Sequence, residues 1–411
     1  MEFAWCAGRG FFPLDEELEL LPGKLTPQGH EFLVRLSGWM PFAKAVELLE
    51  DFMGMQVSKN VAENSTQIAG AAYVQMQEEE VGKLEREMPE AAAGADKLQI
   101  SADGAMVPLR HGIWAEVRTL VIGEVRSTRQ VNGEREMHTR NLSYFSRKVS
   151  AQELQRLALV EIQRRGVENA QQVAAVMDGA DWEQGFVDFH CPQAIRILDF
   201  AHAAQHLNVI GECLHGEHTP ESQAWLRERT HRLKHDGPEH LLVELGQLQG
   251  KYPDAQVIAS HLAYLKKRKQ QMQYPRFQAQ GWPIGSGIVE SGNKLVVAAR
   301  LKGAGMHWAE GNVNPMLALR NILCSGRWKE DWPKIEARLR KQTRQRRSQL
   351  HRTHHPIAPT TWVARALHGL LPAPLSDQPV TKLTPPQPSK NPWRNFKHGK
   401  ALYQRTAPPK I

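Results

Sequence analysis

The stretch GWPIGSGIVESGNKLVVAARLKGAGMHW, from Gly281 to Trp308, decides how the rest of the chain is read. Gly285-Ser286-Gly287 interrupts any helix arriving from upstream. Ser286 is placed to cap a new helix, its hydroxyl accepting an orphan backbone N–H of the first turn. Ile288, Gly292, Leu295 and Ala299 then recur at helical spacing and predict a face that packs closely on a sheet. Glu290 falls off that stripe, in the first turn, where the positive end of the helix dipole favours a carboxylate. Alone, the pattern is explained more simply by a surface Glu290–Lys294 pair, worth only about 0.2–0.5 kcal/mol. Acids elsewhere in the chain have to decide between the two.

Upstream lies the pattern of an α/β sheet. Leu98, Ile100 and Ala102 alternate with polar residues in a strand that delivers Asp103-Gly104. Residues 113–125 and 141–147 predict two further strands, with a polar, basic hairpin tip at 127–140, and residues 152–165 an amphipathic helix. Val173 to Met177 is a short apolar run of the kind found in buried parallel strands, and it ends in Asp178-Gly179. Ile195 to Leu198 is a second such run, ending in Asp199. Beyond it the chain turns helical up to Gln280, with Leu226, Leu233, Leu241, Leu242, Leu245, Leu262 and Leu265 and no strand pattern. It reads as a helical domain inserted between the strands and the Glu290 stretch.

Nearer the start, Ala45, Val46, Leu49, Phe52 and Met53 form an apolar helical stripe that Gly54 stops, and Ser58 can cap a second helix. Helix, glycine-containing turn and capped helix is the arrangement of a helix-turn-helix. The second helix presents Lys59, Asn60, Glu63, Asn64 and Gln67, and Asn or Gln can pair bidentately with adenine in the major groove. An ordinary helical hairpin has the same pattern. Its continuation toward Met88 carries an acidic face, Glu78, Glu79, Glu80, Glu85 and Glu87, that repels phosphate and suits solvation or dimerisation. After Trp332 the chain becomes basic, and from His355 it is proline-rich without periodicity, the composition of an extended or disordered tail.

Composition narrows the function classes. No apolar run is long enough to span a bilayer, and the N-terminus lacks a secretory pattern, so a cytoplasmic location is expected. Cys6, Cys191, Cys213 and Cys324 are far apart and form no CxxC pair, which argues against a zinc knuckle or a disulfide framework. A net charge of +8 points to a polyanionic partner.

Asp103, Asp178 and Glu290 stand at strand ends or a helix start. If parallel strands end side by side, Asp103 and Asp178 meet at one edge, and a helix packed on the sheet adds Glu290. Three convergent carboxylates repel one another and call for cations, and hard oxygen ligands suit Mg²⁺ or Mn²⁺. Such a centre serves in-line attack on phosphate.

The segments SADGAMVPLR around Asp103, VMDGADW around Asp178, ILDFAHAAQHL around Asp199 and GSGIVESGNKLVVAARLKGAGMHW around Glu290 together resemble bacterial insertion-sequence transposases of the DDE class, closest to the ISKra4 family. The resemblance runs from Gly10-Phe11-Phe12-Pro13-Leu14-Asp15 to Trp328. It implies an α/β RNase H-like catalytic core with an all-helical insertion and a helical N-terminal DNA-binding region. It also implies Asp103, Asp178 and Glu290 as catalytic, metal-binding residues, with Asp199 and His202 as the D-x-x-H motif. The implied partners are the terminal repeats and target DNA, bound by a homo-oligomer that is at least a dimer on DNA, with no membrane. Relatives carry paired cysteines before the Gly-Phe-Phe-Pro-Leu-Asp segment, where this chain has only Cys6. The organisation expected is 1–95 helix-turn-helix region, 96–212 first part of the core, 213–280 helical insertion, 281–330 second part of the core and 331–411 basic tail. A silent repressor derived from such an element and a structure-specific nuclease on the same core are the alternatives.

Secondary motifs have plain readings beside sharper ones. His202 and His206 share a helical face that could chelate a metal, but a capping Asp199 with His202 bonded inside the fold needs no metal. Lys294, Arg300 and Lys302 are candidate DNA contacts. Trp308 is either core or a platform for an unpaired base. Lys266 to Lys269 is either a solvated face or a phosphate contact.

Overall fold

Five strands form one mixed sheet in a computed structural model that describes residues 17–21, 23–129, 135–252 and 255–354. They are β1 (Lys97–Pro108), β2 (Trp114–Arg129), β3 (Arg135–Arg147), β4 (Gln172–Met177) and β5 (Ile195–Leu198), hydrogen-bonded in the order β3-β2-β1-β4-β5. The first three are antiparallel neighbours, and β1, β4 and β5 run parallel. The basic hairpin tip expected at 127–140 is shorter. β2 and β3 stay paired out to Arg129 and Arg135.

Helices cover both faces. Before the sheet come α1 (Pro27–Trp39), α2 (Phe42–Met53) and the 29-residue α3 (Lys59–Glu87). α4 (Ala151–Leu157), α5 (Leu159–Arg164) and α6 (Asp181–His190) lie against the face that carries Ile100, Ala102, Ala175 and Met177. After β5 follow α7 (Phe200–His215), α8 (Pro220–Asp236), α9 (Pro238–Lys251), α10 (Gln256–Lys267) and α11 (Tyr274–Ala279). Leu207, Leu233, Leu241, Leu245 and Leu262 from these helices share one apolar core with Ala174, Val176, Ile197 and Leu198 of the sheet. The inserted helices therefore continue the sheet's own core.

The opening stretch forms α12 (Gly287–Gly292), a π-helical turn (Asn293–Ala298) and the short α13 (Ala299–Leu301). The π-turn corrects the expected stripe. One extra residue per turn moves the buried set to Val289, Gly292, Val296, Val297 and Leu301, leaving Leu295 and Ala299 exposed. Close packing on the sheet does occur at Gly292, where a Cβ would lie 2.8 Å from Val121. Ser286 differs too: its hydroxyl makes no cap, and its N–H donates to Asp199 Oδ1 at 2.7 Å.

α14 (Glu310–Cys324) and α15 (Trp328–His354) close the described chain. The segment after Trp332, expected as a basic tail, is helical to His354. Trp328, Trp332, Ile335 and Leu339 are buried with Leu21, Val34, Ala69 and Tyr73. The charges of that helix meet the acidic face of α3, with Arg338 bonded to both carboxylate oxygens of Glu79 at 2.7 Å. The proline-rich part from 355 onward lies outside the described residues. The described residues up to Leu350 belong to one compact unit. Among the described residues no helix is long and apolar enough to cross a membrane.

Candidate active site

The last β1–β4 pair is Ile100 with Ala175, and Asp103 and Asp178 each stand three residues further along. Side chains alternate along a strand, so Gln99, Ser101 and Asp103 share a face with Ala174, Val176 and Asp178. Sheet register thus brings the two aspartates together at the end of β4, on the face that α12 covers.

Asp103 is partly buried, and two donors hold it. Oδ1 accepts the Gly104 N–H at 2.6 Å and Oδ2 accepts the Asn293 side-chain amide at 2.9 Å. Burial pushes its carboxyl above the usual aspartate value, and the charges of Asp178 and Glu290 push the same way against those two bonds. Asp178 Oδ1 accepts the Ala180 N–H at 2.8 Å. Next to it stands an acid that the sequence reading missed. Glu183, 1% exposed on α6, accepts the Gly179 N–H at 3.0 Å. Burial first, then its hydrogen bond and charge contact with Asp178, push Glu183 up to about 10, so at neutral pH it is a protonated partner of Asp178. The only sequence signal for it was an acid in the first turn after Asp-Gly, which any helix start shows.

Glu290 sits differently. Its side chain is 68% exposed and 3.9 Å from Lys294, so the surface pair anticipated from spacing exists. Its charge nonetheless reaches Asp103. Asn293, one turn further on, is the residue of this stretch that touches Asp103, and its buried Oδ1 has no hydrogen-bond partner among the described residues. Among the described residues no group of three His, Cys, Asp or Glu is close enough together to hold a metal ion. The two strand aspartates are assembled, and Glu290 is a neighbour turned to solvent.

Asp199 caps α7, Oδ2 accepting the His202 N–H at 2.8 Å while Oδ1 takes Ser286 N–H. It ties the end of β5 to the start of the Glu290 stretch. His202 Nε2 lies 3.3 Å from His206 Nε2, and His206 Nδ1 lies 2.8 Å from His261 Nδ1. The three imidazoles form a chain rather than a cage, and burial lowers His206 to about 4.

Two proposed DNA contacts are corrected by burial. Arg300 is 1% exposed, stacked between the rings of Phe42 and Trp308 and bonded to Ser37 O at 2.8 Å. Trp308 is 7% exposed and donates from Nε1 to Leu301 O. Both serve to dock the Glu290 stretch on α1 and α2. Lys294 and Lys302 are exposed, as are Lys59, Asn60 and Asn64 at the start of α3; Gln67 is half-buried and bonded to Glu63. Of the Lys266 to Lys269 run, Lys267 pairs with Asp181 at 3.1 Å, Lys269 with Glu239 at 3.7 Å, and Arg268 is buried.

No protein-family model matches this chain, and no curated protein matches it.

Proposed function

We propose that the chain is a DDE-class transposase of the ISKra4 kind, an RNase H-like core that cleaves DNA strands at insertion-sequence ends and joins them to target DNA. The observation that carries this reading is the β1–β4 register, which sets Asp103 and Asp178 side by side on one face. The strand order, three antiparallel strands followed outward by two parallel ones, supports the RNase H-like assignment. The donor set is all oxygen, which fits Mg²⁺ or Mn²⁺ and suits a softer metal poorly. A bound divalent ion would supply Lewis acidity toward the phosphate and the attacking hydroxyl.

The chain's own residues prepare that ground. Gly104 N–H and the Asn293 amide orient Asp103, and Ala180 N–H orients Asp178. Glu290 would complete the set by leaving Lys294 and turning inward, its side chain being exposed and held by that one ion pair. Lys59, Asn60 and Asn64 offer an exposed helix start for end recognition.

The test is strand cleavage and joining of a labelled terminal repeat with Mg²⁺, comparing wild type with Asp178→Asn. Cleavage and joining by wild type alone support the transposase. Cleavage without joining favours a nuclease, and repeat binding without cleavage favours a repressor. Cleavage by Asp178→Asn at the wild-type rate removes the site assignment.

A further inference from the structure

Past Met177 the chain leaves the sheet, and the turn that carries Asp178 must be held by something else. Asp199 N–H takes the Met177 carbonyl at 2.7 Å. The two carbonyls that follow are taken by α10 and the residue just after it. Tyr264 donates its hydroxyl to Asp178 O, and Arg268 donates from Nε (3.1 Å) and Nη2 to Gly179 O. The other polar groups of the turn are internal. Gly179 N–H goes to Glu183, Ala180 N–H to Asp178 Oδ1, and Ala180 O accepts the Glu183 and Gln184 N–H groups at 3.1 Å each.

The two holding side chains are themselves fixed. The Arg268 guanidinium stacks 3.6 Å from the centre of the Tyr264 ring, and the His206 imidazole stacks 3.9 Å from that ring at an interplanar angle of 8°. Arg268 is 6% exposed, although it lies inside a run of four cationic residues. Its charge has no carboxylate partner among the hydrogen bonds and ion pairs of the described residues, so its buried donors are committed to one carbonyl, the ring and the Tyr264 carbonyl. Glycine is required opposite it. Gly179 has φ +86°, and a Cβ there would lie 2.4 Å from Arg268 Nε and 2.9 Å from the Tyr264 hydroxyl.

We propose that Tyr264 and Arg268 are positioning residues for Asp178, so that the inserted helices form part of the catalytic apparatus by gripping the backbone of the Asp178-Gly179 turn. The proposal rests on the reading of Asp178 as a metal ligand. It assigns the insertion a task beyond DNA contact: displacement of α10 is transmitted directly to the Asp178 backbone.

The experiment uses the full chain with two readouts, amide hydrogen exchange of the peptide covering residues 177–184 and titration with Mn²⁺ alone. The variants are Arg268→Ala, Arg268→Lys, Tyr264→Phe and Asp178→Asn. Leu33→Ala is the control, since it loosens α1 within a core that contains no residue of the inserted helices or of the turn. Arg268→Ala should exchange faster at 177–184 and bind Mn²⁺ about tenfold more weakly. Tyr264→Phe should follow in the same direction with a smaller change, and Arg268→Lys should restore part of the loss. Leu33→Ala should lower the melting temperature while its exchange at 177–184 and Mn²⁺ affinity stay at wild-type values. Unchanged exchange in Arg268→Ala overturns the positioning role, as does an equal effect from Leu33→Ala. If exchange responds as expected but Asp178→Asn binds Mn²⁺ like wild type, the grip is real and the metal-ligand reading of Asp178 is what fails; the catalytic role proposed here then falls with it.

Discussion

Asp178 and Glu290 end in the same functional group and have little else in common. Asp178 closes a buried strand, and its turn is bonded on every side, by Ala180 N–H, by Glu183 and by two donors from the inserted helices. Glu290 stands on the exposed side of a helix that runs from Gly287 through the π-turn to Leu301, and one lysine 3.9 Å away is its ion-pair partner. Sheet register fixes a position because a one-residue slip exposes a whole buried face. The Glu290 helix is fixed along its buried side by Val289, Gly292 and Val296, but the Glu290 side chain itself points away from that side and is held by no backbone bond among the described residues. The difference teaches that backbone and side-chain bonds hold the Asp178 turn in place, while the Glu290 side chain is left to solvent and Lys294.

The strongest way to break that contrast is to neutralise each acid. Asp178→Asn should reduce metal-dependent strand cleavage by on the order of 10³-fold or more without lowering the melting temperature, because it removes repulsion from a crowded site. Asp188→Asn on α6, whose carboxylate pairs with Arg196 at the surface, should leave cleavage near wild type. A comparable collapse in Asp188→Asn would show that the loss is not specific to the site.

Acid pH separates buried ground from exposed ground more gently. His30 is fully buried against Trp332, and burial lowers it to about 4. Its folded value lies below its unfolded value, so its neutral form supports folding above about pH 6.5, and that support drains away as pH falls toward 4, by roughly 3 kcal/mol in all. Asp103 and Glu183 act with the opposite sign. Their folded values are raised, so each adds stability as falling pH protonates it in the folded state before the unfolded one. Denaturant melts of wild type and His30→Phe between pH 7 and 4 should show a shallower acid loss in the variant. Parallel curves would place the acid-sensitive group elsewhere.

Glycines sharpen the comparison further. Gly179→Ala forces a side chain into a left-handed backbone and against Arg268, which should cost about 1–3 kcal/mol. At Gly287, one residue into the Glu290 helix, a methyl group meets nothing within 4 Å among the described residues, and alanine should gain about 0.4–1 kcal/mol. Chemical melts of the two variants that moved in the same direction would contradict the difference in rigidity. The smallest effect belongs to Lys294→Met. The pair it breaks is exposed on both sides, so stability should move by less than about 0.5 kcal/mol while the Mg²⁺ needed for half-maximal cleavage falls. A rise in that requirement would make Lys294 a contributor to the site.

The inner part of the sheet was legible because β4 and β5 are short apolar runs, and Val173 to Met177 can be little else. The aspartate at the end of β4 followed from Asp178-Gly179, whereas Asp103, expected at a strand end, lies inside β1, which stays paired with β2 as far as Pro108. The shift of the buried face after Glu290 was not legible, since a π-turn leaves no mark on a sequence whose apolar residues fit two registers. The last helix was hidden because Arg338, Arg340 and Arg344 dominate its composition while Trp328, Trp332, Ile335 and Leu339, three or four residues apart, do the packing. Arg300 and Arg268 looked like phosphate contacts because the ring that covers a cation does not show in its own basic run, Phe42 lying far back in the chain for one and Tyr264 one helical turn earlier for the other.

The packing of α15 against α1 and α3 also sets an order of events during synthesis. Tyr73 bonds to Asp331 at 2.9 Å, and Leu21, Val34 and Ala69 share a core with residues made more than two hundred positions later. At about 5–20 residues per second, the first helices wait on the order of tens of seconds on the ribosome before their covering arrives. During that interval their apolar side is open to chaperones and proteases, and a message truncated before Trp328 leaves it open for good. Ribosome-bound chains stalled at residue 320 should be cut within α1–α3 by a low dose of protease, and chains stalled at 400 should resist.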